Sequence, residues 1–274
     1  MLSWSDIDLK NLTMEKMKRI LTIILIFTFG AGLSQDSLII NEQDYFEMDG
    51  LDVTVFSDFY PSGHQSGVTI IHHGTRVAAN GDLRLEPAPG QWSPVPKGGE
   101  ITVDRENRTI SKTLWFPDSS KNRKGFNPID YPDLVLRYHV HVIALDGSSF
   151  RIVVDLDNPL PEPWNGKVGF NLELFPGDLF GKTFLMDGST GIFPTQPNGP
   201  MIDHNRESIT APLASGSVLT IAPEEDLQRM TIKSERHHLE LWDDRSNHNN
   251  GWYIVRSIIP AGMTKGAIEW TVTP

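Results

Sequence analysis

The chain has 274 residues, with 35 Asp and Glu against 24 Lys and Arg, a formal net charge of −11 and no cysteine. An anionic chain lacks the cationic surface that phosphate binding needs, which argues against a nucleic-acid partner. The lack of Cys rules out disulfides, thiolate metal sites and a lipid-bearing cysteine, and it fits a bacterial periplasm or cell surface better than a eukaryotic secretory route.

The N-terminus reads as a removable secretion signal over residues 1–34. A basic patch, Lys16, Lys18 and Arg19, precedes an almost wholly apolar run over residues 20–29, and small residues follow at Gly30, Ala31, Gly32 and Ser34. This is the order of zones in a signal peptide. The run is shorter than the roughly 20 residues of a membrane span, so an uncleaved anchor is the weaker reading and no span is expected after cleavage. Residues 1–13 carry Trp4, Asp6 and Asp8 and are unlike a signal's basic start, so Met14 is the better initiator. Residues 35–274 are then expected to form a single domain.

Beyond the signal, the chain alternates strands and turns. Leu51, Val53 and Val55 share one face of a strand over residues 51–56. Residues 67–71 and 76–79 read as a hairpin over His73-Gly74, and Asn80-Gly81 reads as a second turn leading into residues 82–85. Strands over residues 101–103 and 109–116 flank a polar turn at Glu106-Asn107. The clearest pair is residues 134–145 with 149–156, joined by Asp146-Gly147. In the first of these strands Leu136, Tyr138, Val140 and Val142 share one face, and Arg137, His139 and His141 share the other. Further strands are expected at residues 167–175, 217–222, 228–234, 238–242, 252–259 and 267–273. About a dozen strands at this spacing imply an all-β fold: a large, two-sheet antiparallel sandwich of the supersandwich kind, bigger than an immunoglobulin domain. Two proline-rich segments, residues 86–99 and 194–212, are expected as ordered loops.

Four groups of residues carry candidate chemistry. Loop aromatics come first, because flat rings stack on the apolar faces of sugars: Trp92 and Trp164 are the best contact candidates, against a core-packing alternative. His139 and His141 point the same way on a strand and could hold zinc with a third ligand, but the pair alone is a weak signal and a solvent-facing pair on an amphipathic strand is the better explanation. Residues 243–251 are dense in oxygen ligands, so Asp243, Asp244 and Asn247 are weak candidates for a structural calcium, against a plain Asx-rich turn. Paired carboxylates would serve glycoside hydrolysis, with Glu86 and Glu173 as weak catalytic candidates among many. No nucleophile elbow, zinc-protease helix, phosphate loop or dinucleotide fingerprint is present, and no cofactor is implied.

Three stretches carry a family resemblance. They are residues 55–68 (Val55-Phe56-Ser57-Asp58-Phe59-Tyr60-Pro61-Ser62-Gly63-His64-Gln65-Ser66-Gly67-Val68), residues 81–92, and residues 179–200, which include Leu179-Phe180-Gly181-Lys182 and Gly191-Ile192-Phe193-Pro194. Together they resemble the N-terminal β-sandwich region of long exported Bacteroidetes glycoside hydrolases, most similar to those of family 9, the cellulase or endoglucanase family. Catalysis in that family resides in a helical (α/α)6 barrel with an Asp-Ala-Gly-Asp motif, which this sequence lacks, so no catalytic residue carries over.

The resemblance implies a non-catalytic N-terminal module, or a fragment, of an exported glycoside hydrolase. Its partners would be a β-glucan-like polysaccharide and a C-terminal (α/α)6 catalytic barrel, on whose cleft it packs or which it extends. Trp92, Trp164, Phe193, Gln196 and Asn198 would form the contact surface. The alternatives are a sandwich that cleaves glycans itself and a non-enzymatic carbohydrate-binding or cell-surface module. The periplasm, the cell surface and the medium all fit the export signal.

Overall fold

A computed structural model describes residues 37–57, 67–85, 93, 96–116, 135–196, 211–246 and 251–274. The expected signal segment, Glu86, Trp92, Asn198 and Asn247 lie outside these residues. Eighteen strands are present among the described residues: β1 (Ile39–Ile40), β2 (Phe46–Met48), β3 (Leu51–Val55), β4 (Val68–His72), β5 (Thr75–Leu85), β6 (Lys97–Asp104), β7 (Thr109–Phe116), β8 (Leu136–Ala144), β9 (Phe150–Leu156), β10 (Val168–Leu174), β11 (Thr183–Met186), β12 (Ser189–Ile192), β13 (Ala214–Gly216), β14 (Val218–Ile221), β15 (Met230–Ser234), β16 (Leu239–Asp243), β17 (Tyr253–Ile258) and β18 (Ile268–Thr273). The one α-helix among them, α1 (Pro176–Leu179), is a single turn.

The strands form two nine-stranded antiparallel sheets. The first runs β1-β2-β3-β4-β5-β10-β17-β16-β13, and the second runs β12-β11-β14-β15-β18-β9-β8-β7-β6. The expected all-β, two-sheet sandwich is therefore the observed architecture, and residues 36–274 make one compact unit. Among the described residues no helix is long and apolar enough to cross a membrane.

Alternation puts the apolar face of each strand between the sheets. Leu136, Tyr138, Val140 and Val142 of β8 are buried while Arg137 stays exposed, as period-two patterning requires. From the first sheet, Phe170 meets Trp270 of the second edge-on, with centroids 5.0 Å apart, a preferred aromatic geometry that ties the two layers. Around them Leu172, Leu174, Ile152, Val154, Ile232 and Val255 complete a continuous core.

The turn chemistry holds at Asp146-Gly147, where β8 and β9 pair from Ala144↔Phe150 onward. It fails at Asn80-Gly81, which lies inside the eleven-residue β5. There Asn80 has φ +56° and the register slips against both neighbours: Val68↔Gly81 is followed by Ile70↔Ala78, and Asn171↔Asp82 by Glu173↔Ala79. One extra residue in β5 opposes each partner, which defines a β-bulge. An Asn followed by a Gly serves a bulge as well as a turn, because both need a left-handed residue.

The family-like stretch around residues 183–193 has structural work of its own. Asp187-Gly188 turns β11 into β12, with φ +48° and +83°, and the Asp187 carboxylate accepts from the Ser217 and Val218 amides. Gly191 lies under the Phe184 ring, where a Cβ would stand 2.1 Å from a ring carbon, so no larger residue fits.

Candidate functional site

The polar residues of the first sheet converge on β5 and β10. In β10 the apolar residues Val168, Phe170, Leu172 and Leu174 alternate with Gly169, Asn171 and Glu173, so the polar set faces away from the inter-sheet core. Glu173, Asn171, Asn80 and Arg256 are all buried nonetheless.

Glu173 is fixed by both carboxylate oxygens. The Asn80 amide, turned outward by the bulge, donates to Oε2 at 2.5 Å, and the Arg84 guanidinium donates to Oε1 at 3.1 Å. A bulge that re-aims one side chain toward a buried charge is a recurrent use of that irregularity. In the next rows of the ladder Asn171 lies between Asp82 and Arg256, and Arg256 lies opposite Glu240. Gly169 leaves room for Arg256: a Cβ there would come within 3.1 Å of its Nε and 2.6 Å of the Ser257 carbonyl.

Asp82 lies beside Asn171 in the ladder, yet its carboxylate reaches the second sheet. The Tyr138 hydroxyl donates to Oδ1 at 2.9 Å, and the Leu83 amide donates to the same oxygen at 2.7 Å. Burial pushes the Asp82 carboxyl up to about 7, against the opposing pull of Arg84 and of these hydrogen bonds. Burial, followed by the neighbouring Asp82 charge, holds the Tyr138 phenol well above its usual range.

Chemically, the cluster is a buried carboxylate oriented by one cation and one amide, beside a second carboxyl that titrates near neutrality. Removing the cation alone exposes the cost of the buried anion. Arg84→Met is expected to destabilise the chain by about 2–3 kcal/mol, below the 3–5 of a fully buried pair because the guanidinium is partly exposed. The double variant Arg84→Met/Glu173→Gln should regain part of that loss in urea unfolding. Equal losses in the single and double variants would show that the pair is not coupled.

Other expected site residues take different places. Trp164 is 2% exposed and belongs to the core, not to a contact surface: it ends a 3-10 turn, Glu162–Trp164, whose backbone bonds from Trp164 to Pro161 and from Lys167 to Trp164 fold the indole inward. Phe193 is 0% exposed, packed between Phe184 at 5.2 Å and Tyr253 at 4.8 Å. Gln196 is exposed, as a contact residue requires.

The proposed calcium ligand Asp243 is instead the partner of Arg245, which donates from Nε to Oδ1 at 2.8 Å and from Nη2 to Oδ2 at 2.7 Å. The same guanidinium holds the Pro194 and Thr195 carbonyls and lies over the Phe180 and Tyr253 rings at 5.0 and 4.8 Å. Asp243 is thereby spent on a latch that ties the segment after β12 to the end of β16, and its pull, through the hydrogen bonds first, raises the Arg245 pKa. Asp244 is buried, with its amide on the Trp252 carbonyl. Among the described residues no group of three or more His, Cys, Asp and Glu is arranged to hold a metal.

Sequence reasoning missed Asn80, Arg84, Tyr138 and Arg245 as partners. Arg84 and Asn80 are 89 and 93 residues from Glu173, a separation that no local signal spans. Arg245 alone had one, since it sits two residues from Asp243.

No protein-family model matches the chain, and no curated protein matches it. Among solved structures it is similar to the Slr1438 protein from Synechocystis sp. PCC 6803, at 13% identity and a TM-score of 0.41, over 83% of this chain and 93% of that one. It is also similar to YeaD of Salmonella typhimurium, described as a mutarotase, at 11% identity and a TM-score of 0.35, over 92% and 98%. Both scores are below 0.5, and neither likeness bears on what this chain does.

Proposed function

We propose that the chain is a non-catalytic β-sandwich module of an exported glycoside hydrolase of the family 9 type, acting on a β-glucan-like polysaccharide, and that it packs on or extends the cleft of a helical catalytic barrel. The glycan part of this reading draws on the sequence resemblance. The non-catalytic part draws on one observation: among the described residues three buried carboxylates are held by protein donors, Glu173 by Asn80 and Arg84, Asp82 through Oδ1 by Tyr138 and Leu83, and Asp243 by Arg245. A general acid or nucleophile has to present an oxygen to the substrate. These oxygens are turned to the protein.

The test mixes the purified chain with a separately produced family 9 barrel and follows association by sedimentation and turnover by release of reducing sugar. Association without turnover by the chain alone is the expected result. Polysaccharide hydrolysis by the isolated chain would favour the reading in which the sandwich is itself the glycosidase, and its loss in Glu173→Gln would assign the residue. No association with the barrel and no binding to any β-glucan would sink both.

A further inference from the structure

The outer face of the second sheet carries an arrangement that the proposed function does not use. Register places Thr113 opposite His139, which is opposite Asp155, and Ser111 opposite His141. Each imidazole is held from the β7 side by a hydroxyl: Thr113 Oγ1 lies 2.9 Å from His139 Nδ1, and Ser111 Oγ lies 2.7 Å from His141 Nδ1. Each meets a carboxylate on the other side. His139 Nε2 lies 2.9 Å from Asp157 Oδ1, and His141 Nε2 lies 3.9 Å from Asp155 Oδ2. The two rings are nearly parallel, 16° apart, with centroids separated by 6.1 Å.

The rows are bounded at both ends. Asp155 is anchored by the Lys265 ammonium and the Gly266 amide, each at 2.8 Å, and Asp157 is 3.5 Å from Arg137 Nε. Arg137 pairs in register with Trp115. Lys97 of β6 pairs with Trp115 and Gly98 with Leu114, and a Cβ on the next residue, Gly99, would crowd the indole at 3.3 Å, so that glycine leaves the ring its place on the sheet. The Lys97 ammonium stands over that ring at 5.6 Å on a solvent-exposed side chain.

Three properties of this strip define its ligand. It is reachable, since His139, His141, Arg137 and Asp157 each keep a quarter or more of their side-chain surface exposed. It offers donors and acceptors together, and charges of both signs are interleaved in it, Arg137, Lys265 and the exposed Lys97 with Asp155 and Asp157. A field of mixed sign selects strongly for neither an anion nor a cation, whereas interleaved donors and acceptors match hydroxyl groups, which do both. The groups are also pre-fixed by their hydrogen bonds on rigid strands, which lowers the ordering cost of binding.

We propose that this strip, Trp115, Arg137, His139, Asp157, His141 and Asp155, is a binding site for a neutral, hydroxyl-rich glycan chain laid along the outer face of the second sheet. The ligand class rests on the glycan reading given above. Ring faces of the sugar lie on Trp115, and hydroxyls exchange hydrogen bonds with the imidazole and carboxylate rows. The strip would then be the surface by which the module extends a catalytic cleft.

The test titrates the purified chain with a panel of soluble β-glucans by calorimetry, using Trp115→Ala, His139→Ala and the milder His139→Gln, with melting curves to show that each variant folds. Arg105→Ala, in the turn between β6 and β7 where the guanidinium is held by Asp44 and the Asn41 carbonyl and not by the strip, is the control. Losing one ring contact or one hydrogen-bonding row is expected to weaken binding about tenfold, with Arg105→Ala unchanged. Unaltered affinity in all three strip variants, with loss confined to Glu173→Gln, would move the glycan to the first sheet and overturn the inference while leaving the glycan reading standing. Barrel association that is lost in Trp115→Ala without any glucan binding would make the strip a protein interface, and so overturn it too. Absence of both glucan binding and barrel association would defeat this inference together with the proposed function.

Discussion

Between pH 4 and pH 8 the chain is expected to lose stability that an Asp82→Asn variant keeps, by up to about 4 kcal/mol. The carboxyl has a folded-state pKa of about 7 against an ordinary value of 3.8, a gap of roughly 3 units at about 1.4 kcal/mol each. The sign follows from proton counting. Below pH 3.8 both the folded and unfolded states hold the proton, and the carboxyl adds no pH dependence. Between 3.8 and 7 the unfolded chain releases it while the folded chain keeps it, so stability falls as pH rises. Above 7 both are ionised, and the cost of a buried anion beside Tyr138 is carried in full.

The full gap is an upper bound, since local opening would admit water. Urea unfolding of both proteins across this range isolates the effect, because Asp155, Asp104 and Glu224, whose pKa values are lowered, contribute in the opposite direction and equally to both. A difference between the two that does not grow with pH would show that Asp82 is not buried as a titrating carboxyl. Tyr138→Phe, which removes a donor that holds the Asp82 pKa down, should steepen the same dependence.

The largest loss from a single core substitution is expected at Trp270. Its indole is fully buried, lies edge-on to Phe170 across the sheets, and donates from Nε1 to Ser257 Oγ at 3.0 Å. Ser257 is a first-sheet residue, and its hydroxyl in turn donates to the His238 carbonyl at 2.9 Å. Trp270→Ala therefore opens a cavity at the junction of the layers and strips one hydrogen bond, for an expected cost of about 3–5 kcal/mol. Trp270→Phe keeps most of the volume and loses the hydrogen bond, so about 1–2 kcal/mol is expected. Denaturant midpoints at constant m-value provide the measurement. A loss below about 1 kcal/mol for the alanine variant would mean that the two sheets do not share one packed interior.

Features written within a few residues of each other were legible. Asp146-Gly147 specifies its hairpin because the turn and both flanking alternations lie in one window, and the faces of β8 follow from Leu136, Tyr138, Val140 and Val142. The five strands that were not anticipated, β1, β2, β11, β12 and β13, have two to four residues each, too few for a period to register. Trp164 and Phe193 were misplaced for a different reason. Their positions beside loops were read correctly, but a loop's backbone position does not say whether its side chain turns back into the core, and for large aromatic rings burial is the stronger pull. Glu173 was named among many carboxylates, and only the fold singles it out, by bringing Asn80 and Arg84 across from β5.

The bulge in β5 also makes that strand unusual in how its chain can be shortened. Ala78 pairs with the inward-facing Ile70, and Gly81 with the inward-facing Val68, so four residues on β5 span what three span on β4. Asn80 is the surplus residue. A chain shortened by that residue alone would restore an even ladder against β10 and remove the slip between Val68 and Ile70, leaving the further slip between Ile70 and Ile71, with Leu83 and Leu85 still inside and the amide that orients Glu173 lost. Shortening by Asp82 instead would close the same slip but remove the partner of Tyr138, and shortening by Leu83 would draw Asp82 into a core place. The same strand thus contains one position that is surplus to the β10 ladder and committed to the site, close to Leu83, whose side chain serves the core alone.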